Sequence, residues 1–314
     1  MQTVKREKKR SLRAILLILL IVAVILIGST YAWFISNNTA KVSTLNVKIE
    51  TVEGLQISVD ASNWKSTITN EDILGAACRE VEKQNGRLDV GALRKYPSIL
   101  FGLETAIRHY HTGDWALWDT AFSRGETGIP INGLIWMGDF NRMLAQIEKK
   151  MEAGFRCIKL KIGAINFEEE LALLQHIRSH YSFKEIELRV DANGAFSPTD
   201  AMEKLKRLSE LDLHSIEQPI RAGQWEEMAR LTSESPLPIA LDEELIGYNT
   251  WEEKQRLLSA IRPQYIIIKP SLHGGLAGGE EWIAEAEKLN IGWWITSALE
   301  SNIGLNAIAQ WCAT

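Results

Sequence analysis

The sequence predicts an α/β protein whose main body is an incomplete (β/α) TIM-type barrel of seven strand-helix units. Three observations carry that expectation. From about residue 129 onward, short β-rich apolar runs alternate strictly with amphipathic helical stretches, which is the pattern of a parallel sheet. Seven such units in one run favour closure over an open sheet. Charged residues also recur at the same place, the end of successive strands, which in barrels of this kind is the face that carries chemistry.

The chain begins differently. Lys5, Arg6, Lys8, Lys9, Arg10 and Arg13 crowd the first thirteen residues against one acid, Glu7, although the whole chain has a net charge of −5. The rest is therefore more acidic than the total implies, which argues against a nucleic-acid surface and for small-molecule ligands. Residues 14–35 carry no charge. As a helix at ~1.5 Å per residue they span roughly 33 Å, enough for a bilayer core. A signal peptide with a small-residue site near Gly28–Ala32 and a retained anchor with Tyr31, Trp33 and Phe34 as an aromatic belt both fit, and the sequence leaves them open. Either reading predicts membrane contact through residues 14–35 and export of the chain beyond them.

Residues 36–69 alternate apolar and polar in Val42–Val52 and Leu55–Val59, which predicts short strands. Thr30–Asp60 resembles the start of TasA/camelysin-type exported proteins, which implies a cell-envelope context. Residues 70–129 change texture and predict two helices, over 71–84 and 97–111, the second opening on Pro97. Cys78, Cys157 and Cys312 share no spacing that would indicate a disulfide framework or a zinc site.

The strands are expected over 131–136, 157–162, 186–190, 213–216, 239–241, 265–268 and 292–296. The helices after them are expected over 139–152, 167–180, 198–210, 223–234, 250–260, 277–290 and 301–313. An eighth strand is not expected, because the sequence stops at Thr314 and the barrel domain then runs over 130–314.

Lys159 and Lys161 stand two apart on the second strand and so face one side, inward by this reading. Asp191, Glu217, Asp242 and Lys269 close the third to sixth strands, and Ser297, Glu300 and Ser301 follow the seventh. Three carboxylates brought to one rim predict a hard divalent cation with oxygen ligands, Mg²⁺ being the simplest. Glu243 and Glu244 read as surface or supporting residues, and the histidines form no spaced cluster. These groups suit removal of a proton next to a carboxylate, with a lysine amine as base and positive charge placed where the enediolate forms. Crowding among Lys159, Lys269 and a cation is expected to lower the pKa of Lys161.

The joint set Lys159–Lys161 (KLK), Val190–Asn193 (VDAN), Ile216–Pro219 (IEQP), Leu241–Glu243 (LDE), Ile268–Ser271 (IKPS) and Ser297–Gly304 (SALESNIG) resembles the o-succinylbenzoate synthases. These belong to the muconate-lactonising-like part of the enolase superfamily. The match runs upstream through Pro97–Ala106 and Ile129–Gly138 and covers about residues 70–314. The resemblance implies a Mg²⁺-dependent lyase that dehydrates the cyclohexadiene carboxylate SHCHC to o-succinylbenzoate in menaquinone biosynthesis. It implies Lys161 as base and as acid for the departing hydroxyl, Lys159 beside the carboxylate, and Lys269 on the opposite face. Asp191, Glu217 and Asp242 would be ligands of Mg²⁺, and Ser297, Glu300 and Ser301 would hold the succinyl end. It also implies that residues 70–129 are a helical remnant of a capping domain, and a cytoplasmic setting that conflicts with the exported start. That conflict predicts a junction of two unrelated segments near residues 60–70. Two other readings remain: racemisation or epimerisation of N-acylamino acids or dipeptides by the paired lysines, and an exported envelope protein with an inactive barrel.

Overall fold

The structure, a computed structural model, describes residues 69–314, the second of the two units into which the chain divides. The basic start, the apolar run 14–35 with its membrane contact, the strands of 36–68, the TasA/camelysin-type resemblance and the junction near 60–70 lie outside the described residues. Among the described residues no helix is long and apolar enough to cross a membrane.

Three helices precede the sheet: α1 (Asn70–Lys83), the short α2 (Val90–Leu93) and α3 (Pro97–Thr112). The first is started by a Thr69/Asp72 capping box and the second by the Asp89 carboxylate, which accepts from the Ala92 amide. Pro97 at the first turn of α3 has no amide hydrogen to leave unsatisfied, and Gly113 ends that helix in the left-handed region at φ 67°. Leu93, Leu100 and Leu103 pack into a small core of their own with Ile73, Tyr96 and Ile99 around it.

The body continues as β1 (Gly133–Ile135), α4 (Phe140–Glu152), β2 (Cys157–Lys161), α5 (Phe167–His180), β3 (Glu187–Asp191), α6 (Ala201–Ser209) and β4 (Ser215–Glu217). After these come α7 (Trp225–Glu234), β5 (Ile239–Leu241), α8 (Trp251–Ile261), β6 (Tyr265–Ile268), α9 (Gly275–Lys288), β7 (Gly292–Ile295) and α10 (Asn302–Trp311). The seven strands form one parallel sheet in sequence order. The expected units are all present, with ends shifted by a few residues. The start of β1 moves from 131 to 133 and that of α6 from 198 to 201, where the turn before the helix is hydrogen-bonded among Ser197, Thr199 and Asp200.

Alternation decides the faces. Ile158, Leu160, Leu188, Val190, Ile216, Ile239, Leu241, Ile266 and Ile268 point outward under the helices and are inaccessible to solvent. Cys157, Lys159 and Lys161, with Glu187, Arg189 and Asp191, point inward. The sheet curls enough that the Arg189 guanidinium on β3 lies 4.1 Å from the ring centre of Trp294 on β7, four strands away. Helix α9 approaches its neighbours closely through glycine: a Cβ on Gly279 would stand 2.6 Å from the Trp311 ring, and one on Gly278 2.3 Å from the His273 carbonyl oxygen.

Candidate active site

The register sets the site. Lys161 on β2 stands opposite Asp191 on β3, and Asp191 opposite Glu217 on β4, so three charged residues form one row across three strands. Glu217 is paired with Ala240 on β5, so Asp242 is two residues farther along its strand direction. Lys269 then follows the end of β6. Such stepping is the stagger by which a sheet bends toward a barrel.

The lysines meet the carboxylates directly. Lys161 Nζ donates to Asp191 Oδ2 at 2.6 Å and to Asn193 Oδ1 at 2.8 Å. Lys159 Nζ lies between Asp191 Oδ2, at 2.9 Å, and Glu217 Oε2, which it contacts more closely. Lys269 Nζ donates to Asp242 Oδ2. All three carboxylates are buried and all three ammoniums keep partial access to solvent.

Burial and charge act in opposite directions here. Burial alone would raise the Asp191 carboxyl, but the Lys159 and Lys161 ammoniums bring it down to about 2. Glu217 goes the other way: burial lifts it well above the usual carboxylate range, Lys159 opposes, and Asp191 and Asp242 add to the rise. Lys159 is lowered by burial but raised more by Glu217 and Asp191, for a net upward shift. It is therefore held as a fixed positive charge.

This arrangement corrects one step of the sequence reasoning. Three carboxylates at one rim do not by themselves demand a metal, because three lysine ammoniums match them in charge. As placed, no three acidic, histidine or cysteine side chains among the described residues are gathered to hold one ion. What does point to a cation is specific. Glu217 Oε1 and Asp242 Oδ1 are buried and have no hydrogen-bond partner, and both are hard carboxyl oxygens, one at the end of β4 and the other just after β5. With Asp191 beside them the donor set fits Mg²⁺ in type.

Of the residues after β7, Glu300 is fully engaged: its carboxylate accepts from Ser271 Oγ and, at 2.8 Å, from the Ala298 amide. It braces the loop against the end of β6. Ser297 and Ser301 share that loop, but their side chains make no hydrogen bond to the charged row. Ser301 stands at the N-cap position of α10 without a side-chain cap bond.

Several neighbours were missed by sequence reasoning. Asn193, at φ 44°, passes from Lys161 to Glu243, its Nδ2 donating to Glu243 Oε1 at 2.8 Å. Glu243 is raised by burial and by Asp242. Of the two readings of Glu244, surface or supporting, the structure shows the second: it is buried and paired with Gln218. His273 is wholly buried, its Nδ1 accepting from the Lys269 amide at 3.0 Å, and it orients the turn that carries that lysine. The signal for Gln218 was available, since it is a polar residue set between Glu217, at an expected strand end, and Pro219.

Comparison with known proteins identifies the fold. Residues 142–314 match the model of the family described as enolase C-terminal domain-like. The o-succinylbenzoate synthase of Desulfotalea psychrophila is 52% identical over 255 residues, 81% of this chain and 66% of that protein. The crystal structure of MenC from that organism superposes with a TM-score of 0.65 and 50% identity, covering 77% of this chain and 66% of the other. The N-succinylamino acid racemase of Thermus thermophilus is 34% identical over 161 residues, 51% of this chain and 41% of that protein. The chain thus spans just under two thirds of the synthase and less than half of the racemase.

Proposed function

The chain belongs to the enolase C-terminal domain-like family, and from that premise we propose that it is an o-succinylbenzoate synthase-like lyase, removing water from SHCHC to give o-succinylbenzoate. The observation that carries the proposal is the disposition of lysines: two on β2 and one after β6, paired with the carboxylates at the ends of β3 and β4 and just after β5. The racemase and epimerase reading has less behind it, since the relatives so named are 25–34% identical over about half of the chain.

In this reading the neutral Lys161 amine takes the proton from the carbon next to the substrate carboxylate. As the C–H bond breaks, its electron pair moves toward the carboxylate oxygens. The hydroxyl on the neighbouring carbon then departs with a proton from the Lys161 ammonium, so one water is lost and the base is restored. Asp191 and Asn193 fix two of the directions in which Lys161 can donate, leaving its remaining position for the substrate. Lys159, held charged by its two carboxylates, lies beside the substrate carboxylate, and Lys269 offers positive charge from the opposite side of the mouth. Asp191, Glu217 and Asp242 would hold Mg²⁺. Bound there, the ion would supply further positive charge against the substrate carboxylate as negative charge develops on it. The loop of Ser297, Glu300 and Ser301 would take the succinyl end, with Glu300 as its brace.

A dehydration assay of the purified chain with SHCHC and Mg²⁺ tests this. Turnover is expected for the parent and at least a ~10³-fold loss for Lys161→Ala, the order found when an essential catalytic group is removed. Equal rates in the two proteins would remove the base assignment. Exchange of the α-proton with inversion and no dehydration would favour the racemase reading instead.

A further inference from the structure

Gln218 comes directly after Glu217 and is 1% exposed, yet no step of the chemistry uses it. Its backbone is held at φ 39°, in the left-handed region that a residue other than glycine adopts only when its surroundings compel it. Every polar atom it has is bonded. Its amide donates to the Ala240 carbonyl at 2.9 Å, and its carbonyl accepts from the Gly194 amide at 2.7 Å. Its side-chain Oε1 accepts from the amides of Asp242 and Glu244, both at 3.2 Å. Its Nε2 donates to the Ile220 carbonyl at 3.0 Å and to Glu244 Oε2 at 3.2 Å. Glu244 is buried as well, and its other oxygen accepts from the Gly223 amide at 2.8 Å.

The three turns that carry Asp191, Glu217 and Asp242 are thus joined through one side chain and its backbone. Only a primary amide can do this, because the site requires an acceptor toward two backbone N–H groups and a donor toward a carbonyl and a carboxylate. We propose that Gln218, clamped by Glu244, is the positioning residue that sets Asp242 against Glu217, and so determines how tightly these carboxylates hold a divalent cation. The inference rests on the reading of Asp191, Glu217 and Asp242 as ligands. It adds a residue that touches neither the ion nor the substrate and acts through the backbone of Asp242.

The test is a Mn²⁺ titration of the purified chain, followed by the spin-resonance signal of the free ion, beside thermal melts. Gln218→Leu removes all four side-chain bonds. Gln218→Glu keeps the acceptor toward Asp242 but sets oxygen against the Glu244 carboxylate and the Ile220 carbonyl. In the double variant Gln218→Glu/Glu244→Gln a donor again faces an acceptor between the two side chains. The single variants are expected to bind Mn²⁺ about 10–100-fold more weakly, the usual effect of losing a residue that orients a ligand. The double variant is expected to recover most of that loss. If Gln218→Leu does not fold, the Gln218→Glu and double variants decide the matter between them. Folded variants that bind as the parent does, or a double variant no better than Gln218→Glu, would overturn the role of Gln218 alone. No binding by the parent would overturn the ligand assignment and this inference with it.

Discussion

Helix α9 begins without a side-chain cap of its own, since Gly274 occupies the N-cap position. Glu104, on α3 and 172 residues earlier, supplies one instead. Its Oε2 accepts from the Leu276 amide at 2.6 Å and its Oε1 from the Ala277 amide at 3.0 Å. Glu104→Gln keeps one acceptor and turns an NH₂ group toward the other amide. A hydrogen bond to a charged group contributes about 1.5–3 kcal/mol, and a negative charge at a helix N-terminus about 0.3–1 kcal/mol. Burial works against these gains, since it raises the Glu104 carboxyl and disfavours the ionised form that caps best. The lower end, about 2 kcal/mol, is therefore expected. For a unit of this size that corresponds to a fall in Tm of about 4–8 °C. Thermal unfolding followed by circular dichroism measures the shift, and hydrogen exchange at Leu276 and Ala277 localises it. A Glu104→Gln protein melting at the same temperature as the parent, with those amides as protected as before, would refute the capping argument.

Two further outcomes are expected from the same region. His273 is held neutral by burial, which lowers its pKa to about 3. Its unfolded value lies near 6.5, so below that pH the unfolded chain takes up a proton that the folded one refuses, and stability falls as pH drops from about 6.5 toward 3. At pH 4.5 the loss from this residue is up to about 3 kcal/mol, at ~1.4 kcal/mol per pH unit, and urea denaturation at pH 7 and 4.5 should show it. The same comparison on His273→Gln should show a shallower acid loss, and an unchanged slope would exclude His273 as the source. Gly279→Ala places a methyl group 2.6 Å from the Trp311 ring, so α9 and α10 must separate. A destabilisation of about 1–3 kcal/mol is expected from such overpacking, read as a lower urea midpoint.

The barrel strands and the strand-end positions of Lys159, Lys161, Asp191, Glu217, Asp242 and Lys269 were legible, because alternation along a strand and the spacing of units are local properties of a sequence. The partnerships among them were not. That Lys159 bridges Asp191 and Glu217 depends on the register of three strands, and nothing within one strand encodes its neighbour's offset. The same holds for the two residues by which Asp242 stands beyond Glu217. Glu244 read as a surface or supporting residue, and the choice between the two was not legible because its pairing with Gln218 joins two turns 26 residues apart. Glu300 illustrates the reverse error of emphasis: its position after β7 was legible, whereas its engagement by Ser271 and Ala298 needed coordinates.

The helical strip ahead of the sheet also bears on the order of assembly. Arg94 reaches Glu281 at 2.7 Å, Ser98 Oγ reaches the Ser271 carbonyl at 2.8 Å, and Glu104 caps α9, all across separations of 172 to 187 residues. Contacts so distant along the chain close long loops, as do those of Trp115 and Leu117 with Gln310, and carry a large entropic cost before they repay it. A chain with α3 undocked could therefore hold its parallel sheet, built from neighbouring units, while the turn after β6 still lacked its bond from Ser98 and α9 its cap from Glu104.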